Sequence, residues 1–267
     1  MRTPLRRALS TLGCPQLSLD GVLALAGAHG VGAVELRTLE GTTDLPALFA
    51  RHGAEAVLRA QRAHPGVRVL VLSTSSKLAR PGPDDRAALM AFAPWAEAMG
   101  VPWLRVFDGI GAADAGGVSG AAETVRWWQG LRREHGWKVD LLVETHDGLV
   151  TDEAINRFCS EAPGVRMLWD AHRTWRATGA EPQDLWPAIA GHVEHIHVKD
   201  SVARPSGAFP YTYVLPGDGE FPMARLRDRL GRDGYAHAVS LEWERQWHPE
   251  LPPLEEALRA AGDRAWW

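Results

Sequence analysis

The sequence predicts a single α/β domain of the (β/α)8 TIM-barrel class that spans residues 1–267. Short apolar segments rich in β-branched residues alternate with segments of helical periodicity, and eight such units in 267 residues match the length of a barrel. The turn after the first strand reads STLGCP, so it lacks the glycine-rich phosphate loop expected of an open doubly wound sheet. The barrel is therefore preferred to that alternative.

Each predicted element is assigned from its residue pattern and from the residues that end it. The predicted strands are Ala8–Leu12, Ala33–Arg37, Arg68–Ser73, Trp103–Phe107, Asp140–Glu144, Arg166–Asp170, His195–Lys199 and Ala238–Glu242. The predicted helices are Asp20–His29, Asp44–Arg62, Pro83–Met99, Ser119–Glu134, Thr151–Cys159, Gln183–Ile189, Pro222–Arg232 and Pro253–Ala261. Asp20 and Asp84 are suited to cap helix N-termini, while Gly30, Gly100 and Gly136 permit the left-handed turn that ends a helix.

Composition and charge narrow the class of protein. Hydrophobic residues make up 45% of the chain, and the formal net charge is −4, so neither a disordered chain nor a basic nucleic-acid-binding protein is expected. The sequence contains no apolar run long enough to cross a membrane. Cys14 and Cys159 are isolated from each other, which favours a reducing, cytoplasmic location.

Ligand-type side chains close four consecutive predicted strands, the fifth to the eighth. In barrel enzymes the active site lies at the carboxyl ends of the strands. Successive residues of a strand face opposite sides of the sheet. This alternation predicts that one ligand-type side chain from each of the four strands points into the barrel. The four residues are Glu144, Asp170, His197 and Glu242.

This combination of residues predicts a metal site. Three carboxylates in one place would repel one another and would be costly to bury unless a cation neutralised them. Three oxygen ligands and one imidazole suit a divalent metal ion, with Mn²⁺ as the first expectation and Co²⁺, Mg²⁺ or Zn²⁺ as alternatives. A lone acidic residue at a strand end is usually a turn former. Four such residues of the correct parity favour a shared cation.

Five segments resemble the sugar phosphate isomerase/epimerase family, the xylose-isomerase-like barrels that include ketose 3-epimerases, hydroxypyruvate isomerase and inosose dehydratase. They are VETHD (143–147), LWDAHRTWR (168–176), HIHVKDS (195–201), LPGDGEFP (215–222) and SLEWE (240–244). The resemblance implies a TIM barrel whose metal ion is held by the residues that match the family pattern, Glu144, Asp170, His197 and Glu242. It also assigns the acid and base roles to Glu144 and Glu242.

Further side chains are candidates for substrate binding. The resemblance implies a histidine soon after the sixth strand, for which His172 is the candidate, and a basic group after the seventh, either Lys199 or Arg204. His146 and Arg173 follow the fifth and sixth strands, where they could contact a sugar or simply form the loops. His195 is either an interior histidine or a hydrogen-bonding contact to the substrate.

These inferences predict an enzyme of carbohydrate metabolism that moves a proton beside a carbonyl group. A metal ion that chelates the carbonyl and an adjacent hydroxyl would stabilise an enediolate, and Glu144 and Glu242 would isomerise or epimerise a free sugar or a sugar derivative. Loss of a hydroxyl from that enediolate gives the alternative, a carbon–oxygen lyase that dehydrates an inosose or a cyclic keto acid. A metal-dependent hydrolase and a non-catalytic sugar-binding protein are less favoured hypotheses than the isomerase and the lyase. The expected partner is a small carbohydrate or polyol-derived molecule, and the sequence leaves a homo-oligomer open.

Overall fold

The computed structural model describes residues 5–111, 114, 116–207 and 209–267. Its strands are β1 (Arg6–Ser10), β2 (Ala33–Leu36), β3 (Arg68–Lys77), β4 (Trp103–Phe107), β5 (Asp140–Glu144), β6 (Arg166–Asp170), β7 (Val193–Val198), β8 (Asp200–Val202), β9 (Thr212–Val214) and β10 (Ala238–Leu241). Eight of them are parallel and close into a barrel in the ring order β1-β10-β7-β6-β5-β4-β3-β2. The other two, β8 and β9, form a separate antiparallel hairpin that follows β7.

Helices surround the barrel and pack on its outer face. They are α1 (Leu19–Ala28), α2 (Leu45–His52), α3 (Ala54–Ala63), α4 (Pro83–Met99), α5 (Gly117–His135), α6 (Asp152–Glu161), α7 (Ala171–Thr178), α8 (Pro182–Ile189), α9 (Met223–Arg232) and α10 (Leu254–Asp263). The predicted TIM-barrel class is therefore confirmed. None of the helices in the described ranges combines the length and apolar character required to cross a membrane.

Three elements differ from the sequence prediction for identifiable reasons. The predicted helix Asp44–Arg62 is two helices, because Gly53 adopts a positive φ of 80° and breaks it. Helix α7 was not predicted, and it begins immediately after β6 because the Asp170 side chain accepts a hydrogen bond from the backbone N–H of Arg173. The first strand ends at Ser10, where a 3-10 turn begins, rather than at Leu12.

The predicted helix ends are partly correct. Gly30, Gly100 and Gly136 have positive φ values of 65°, 66° and 68°, as a left-handed helix end requires. The predicted N-terminal caps are wrong, because α1 is capped by Ser18 and α4 starts after Gly82, whose N–H donates to Asp85. In both helices the predicted aspartate instead lies in the first turn, where a negative charge still favours the helix dipole.

Side chains on the outer face of the barrel strands are apolar, whereas those in the interior change from apolar to polar along the strands. Helix-facing residues such as Leu141, Ile196 and Val239 belong to the large core between barrel and helices. The opposite parity points inward, where a small apolar cluster that includes Leu142 and Leu168 fills one end. Towards the carboxyl ends of the strands the inward positions become polar, and this end of the barrel carries the candidate site.

Helix α5 packs unusually closely against the segment that follows β3. The Thr124 hydroxyl donates to the Leu78 carbonyl at 2.9 Å. A Cβ atom added at Gly120 would lie 2.4 Å from the Ala79 carbonyl oxygen. Because that oxygen belongs to the backbone, a glycine is required for this approach.

We predict that Gly120→Ala destabilises the fold by about 2–3 kcal/mol, because overpacking forces the helix away from the barrel. Gly130→Ala in the same helix is the matched control, since its added Cβ meets only the flexible end of Arg133 at 3.9 Å. The control should stabilise the protein by up to about 1 kcal/mol through helix propensity. Urea denaturation followed by circular dichroism measures both. Equal free energies of unfolding for the two variants would contradict the proposed close packing.

Candidate active site

The structure brings the four predicted metal ligands together at the carboxyl end of the barrel. Glu144 ends β5, Asp170 ends β6, His197 lies on β7 and Glu242 directly follows β10. All four are buried, and one ligand atom from each lies within 4.8 Å of those of the other three. Because β5, β6, β7 and β10 are neighbours in the ring, the four side chains form a continuous arc.

The hydrogen bonding of these side chains fits a cation among them. His197 Nδ1 and Glu144 Oε2 are buried, and neither makes a well-aligned hydrogen bond within the described residues, although Glu242 and Arg105 lie 3.3 and 3.2 Å away. One oxygen of Asp170 accepts the Arg173 backbone N–H at 2.8 Å, which fixes the carboxylate and leaves its other oxygen for the cluster. Buried atoms without a partner are costly in a folded protein. A divalent cation would satisfy both a carboxylate oxygen and an imidazole nitrogen at this point.

Glu35 on β2 orients the histidine of this cluster. His197 Nε2 lies 2.8 Å from Glu35 Oε2, and His195 Nε2 lies 3.0 Å from the same oxygen. Because a carboxylate accepts hydrogen bonds, this contact places a proton on His197 Nε2, while Nδ1 on the other side of the ring faces Glu242, 3.3 Å away. Carboxylates behind histidines hold metal-ligating imidazoles in this way.

Basic side chains surround the carboxylates of the cluster. The Lys199 ammonium lies 2.9 Å from Asp170 Oδ2 and 2.6 Å from Glu244 Oε1, and it also contacts Glu242. Burial opposes the charged form of Lys199, but the neighbouring carboxylates raise its pKa well above the usual value. On the β4 side, Arg105 Nε lies 3.2 Å from Glu144 Oε2.

The pKa values of the two glutamates of the cluster are shifted in opposite directions. Burial raises the pKa of Glu144, although the charge of Arg105 opposes the shift. Burial would also raise the pKa of Glu242, but His197 and Lys199 lower it well below the usual value. For His197, burial is outweighed by the charges of Glu242 and Glu35, which raise the pKa well above the usual value. The carboxylates and the cationic groups of the cluster thus stabilise each other's charged forms.

A cleft of about 310 Å³ opens above this cluster. Four of the six predicted substrate-binding residues line it, namely His146, His172, Arg173 and Lys199. The other two do not line it: His195 lies buried beside Glu35, and Arg204 is exposed after β8. The remaining lining residues are Leu12, Arg37, Arg105, Phe107, Glu144, Asp170, Phe209, Tyr211, Tyr213, Glu242, Glu244 and Trp247.

Two cleft arginines lie outside the predicted set of site residues. Arg105 lies on β4 opposite Leu142, an inward residue of β5, so its parity could have revealed it. Arg37 directly follows β2. Neither belongs to the predicted set, because that set comes from the ends of the fifth to eighth strands and the loops that follow them.

Aromatic side chains cover the cleft from the segment 201–222. Within this segment β8 and β9 form a hairpin, which places Tyr211 and Tyr213 over the site. Asp200 secures the base of the hairpin by accepting backbone N–H groups of Gly217, Gly219 and Phe221 at 2.8–3.1 Å. The hairpin is therefore held firmly at its base.

The loop after β5 is held by a single carboxylate. Asp108 follows β4, and its Oδ2 accepts the backbone N–H groups of His146 and Asp147 at 3.0 and 2.8 Å. Its Oδ1 accepts those of Ile110 and Gly148 at 2.8 and 3.0 Å. These bonds fix the position of His146, whose Nδ1 lies 2.9 Å from Asp147 Oδ1.

Comparison with known proteins places the chain in a broad group of barrels. The family model described as xylose isomerase-like TIM barrel matches residues 23–264. A search of curated proteins finds no match to the sequence.

Several solved structures are similar to this chain. The probable 3-DHS dehydratase AsbF from Bacillus anthracis is 18% identical with a TM-score of 0.77, over 97% of this chain and 100% of that one. The IolI protein with a bound zinc atom is 18% identical with a TM-score of 0.77, over 98% and 96%. A D-psicose 3-epimerase is 12% identical with a TM-score of 0.71, over 98% and 99%. At these identities the likeness establishes the fold alone.

We predict that Asp108→Asn lowers the free energy of unfolding by about 1–3 kcal/mol. The amide NH₂ would face backbone N–H groups that now donate to an oxygen, which leaves buried donors without acceptors. Chemical denaturation measures the change, and Asp263→Asn at an exposed position provides the control. If both variants kept wild-type stability, Asp108 would not be the group that holds the His146 loop.

Proposed function

We propose that this chain, which belongs to the xylose isomerase-like TIM barrel family, is a divalent-metal-dependent isomerase or epimerase of a sugar or sugar derivative. The observation that carries the proposal is the set of buried ligand atoms of Glu144, Asp170, His197 and Glu242, which lie within 4.8 Å of one another. Mn²⁺ is the first choice for their ion, with Co²⁺, Mg²⁺ or Zn²⁺ as alternatives. When bound, such an ion supplies Lewis-acid polarisation of a substrate carbonyl.

Glu144 and Glu242 are the proposed acid and base. They stand at the two ends of the arc of four strands, with β6 and β7 between their strands in the ring. A carboxylate at one end can remove the proton beside the carbonyl, and the carboxylic acid at the other end can return it. Return to the opposite face of the same carbon is epimerisation, while return to the neighbouring carbon is isomerisation.

His172 is a proposed contact to a substrate hydroxyl. Burial lowers its pKa well below the usual value, so the imidazole is neutral near pH 7. Its Nε2 lies 2.6 Å from the Ser201 hydroxyl, while its Nδ1 has no hydrogen-bond partner in the part of the chain that the structure describes. A neutral imidazole in the cleft wall can bind a hydroxyl without adding charge.

A dehydratase is the second candidate, and one observation favours it. His146 lines the cleft, its side chain is 40% exposed, and Asp147 accepts from its ring. Although burial opposes it, the hydrogen bond to Asp147 raises the pKa of His146. A two-glutamate epimerase has no need of a third proton-transfer group, whereas elimination needs an acid for the departing hydroxyl.

We predict that Glu144→Gln reduces turnover by about 10²–10⁴-fold, because an amide cannot exchange the proton, while the fold is retained. The assay incubates ketoses, inososes and keto acids with the Mn²⁺-loaded protein in D₂O and follows them by NMR. Deuterium at one carbon without loss of water indicates an isomerase or epimerase, whereas an unsaturated product indicates the dehydratase.

Glu250→Gln, an exposed carboxylate outside the cleft lining, is the control and should keep full activity. Undiminished turnover by Glu144→Gln would remove Glu144 from the proposed chemistry. Turnover that is indifferent to a chelator would remove the metal-dependent mechanism as a whole.

We further predict that Glu35→Gln weakens Mn²⁺ binding by about 10–100-fold, because the His197 ring loses the charged partner that fixes its orientation. Titration calorimetry of chelator-treated protein measures the dissociation constant without any substrate. The matched control is Glu194→Gln on β7, whose carboxylate pairs with Arg166 and His237 outside the site. Equal affinity in Glu35→Gln and wild type would show that Glu35 does not position the ligand.

A further inference from the structure

Two buried arginines present donors to the cleft that the described structure leaves partly unsatisfied. Arg37 NH1 and Arg105 NH1 have no hydrogen-bond partner among the described residues, and Arg105 Nε has only its ion-pair contact with Glu144, although each atom is almost inaccessible to solvent. Both side chains line the cleft above the carboxylate cluster. Leaving a buried charged donor unsatisfied is more costly than leaving a neutral one. Such donors mark a place where a ligand atom completes the bonding.

The protein's own groups supply too few acceptors for these two guanidinium groups. Arg37 donates through NH2 to the Ser75 hydroxyl at 2.8 Å, which is a neutral partner. Arg105 shares one carboxylate, that of Glu144, and lies 4.1 Å above the Phe107 ring. Burial lowers the pKa of Arg37, and the like charge of Arg105 lowers it further. An anion between them would relieve both effects.

The charge of the cleft also favours an anionic ligand. Four carboxylates line it, and four permanent cations, Arg37, Arg105, Arg173 and Lys199, face them. With a divalent ion in the cluster, positive charges exceed negative ones even when Glu35 beneath the cleft is included. A narrow cleft with excess positive charge attracts anions and repels cations.

The position of the arginines decides which end of a substrate they would hold. Arg105 lies on β4 and Arg37 follows β2, whereas the metal-ligand arc runs from β5 to β10. The cleft of about 310 Å³ is small enough that one compact molecule would touch both regions. An anionic group at one end and a carbonyl with hydroxyls at the other would therefore fit one ligand.

We propose that Arg37 and Arg105 bind a carboxylate of the substrate, so that the substrate is a small hydroxylated keto acid rather than a neutral sugar. This inference rests on the proposed function for the reacting end of the molecule. A carboxylate is preferred to a phosphate because no glycine is among the described residues of the cleft lining, whereas phosphate sites use backbone N–H groups of glycine-rich turns and helix N-termini. Planar guanidinium groups match a carboxylate with two parallel hydrogen bonds.

The test compares 3,4-dihydroxycyclohexane-1-carboxylate with its carboxamide, which has the same shape and no charge. Titration calorimetry measures both with chelator-treated protein and with Mn²⁺-loaded protein, and a separate Mn²⁺ titration reports on the metal site. We expect the carboxylate to bind at least about tenfold more tightly than the amide in both forms. Because the preference is measured with and without the ion, its failure is distinct from a failure of metal binding.

Substitutions of the two arginines test whether they cause the preference for the carboxylate over the carboxamide. Arg37→Gln should remove most of the tenfold preference while changing the affinity for the carboxamide by less than about threefold. Arg105→Lys should reduce the preference in part, since the charge stays and the two-pronged geometry is lost. Arg259→Gln on the exposed face of α10 is the control and should keep the full preference.

Three results would overturn the proposal. The first is equal affinity for the carboxylate and the amide, or binding of neither compound. The second is an unchanged preference in Arg37→Gln. The third is tighter binding of the matched cyclohexanediol phosphate than of the carboxylate, which would identify a phosphate site instead.

Discussion

The site depends on the cost of burying four carboxylates at one end of a barrel. Glu144, Asp170 and Glu242 meet there, and Glu35 lies directly beneath them. Isolated buried carboxylates would gain protons or disrupt the fold. The protein instead surrounds them with His197, Lys199 and Arg105, each within ion-pair range of at least one carboxylate. The same arrangement that makes the acids tolerable leaves oxygen and nitrogen atoms directed at a common point.

The barrel provides this arrangement through strand parity. Inward positions near one end are apolar, as at Leu142 and Leu168, and they pack without polar atoms. The next inward positions of the same strands, two residues further on, are Glu144 and Asp170. Because the strands are held by the continuous core on their outer face, the polar end need not supply the stability of the fold. This division allows a costly charge cluster to persist in a folded chain.

Much of the fold and of the cluster could be predicted, because both follow from short-range periodicity. Alternation within β7 indicated that His197 faces inward, and the strand ends showed the carboxylates. The pattern missed the break at Gly53, since helical periodicity continues across it. It also left out Arg105, because the candidate residues come from strand ends, whereas Arg105 lies in the middle of β4. Contacts across the ring, such as Glu35 with His197, have no signature in local sequence.

Asp170 shows how tightly the fold and the site are joined. One of its oxygens caps α7 and the other contacts Lys199, so the helix that follows β6 fixes the carboxylate before any ligand arrives. A preset rotamer reduces the entropy lost on binding. Lys199 and a cation would then act on the same oxygens, and the ammonium has to yield part of its contact or share it. The position of the Lys199 ammonium should therefore influence how strongly a metal ion binds. The arginines, tyrosines and histidines of the cleft wall lie outside the set of four predicted metal ligands.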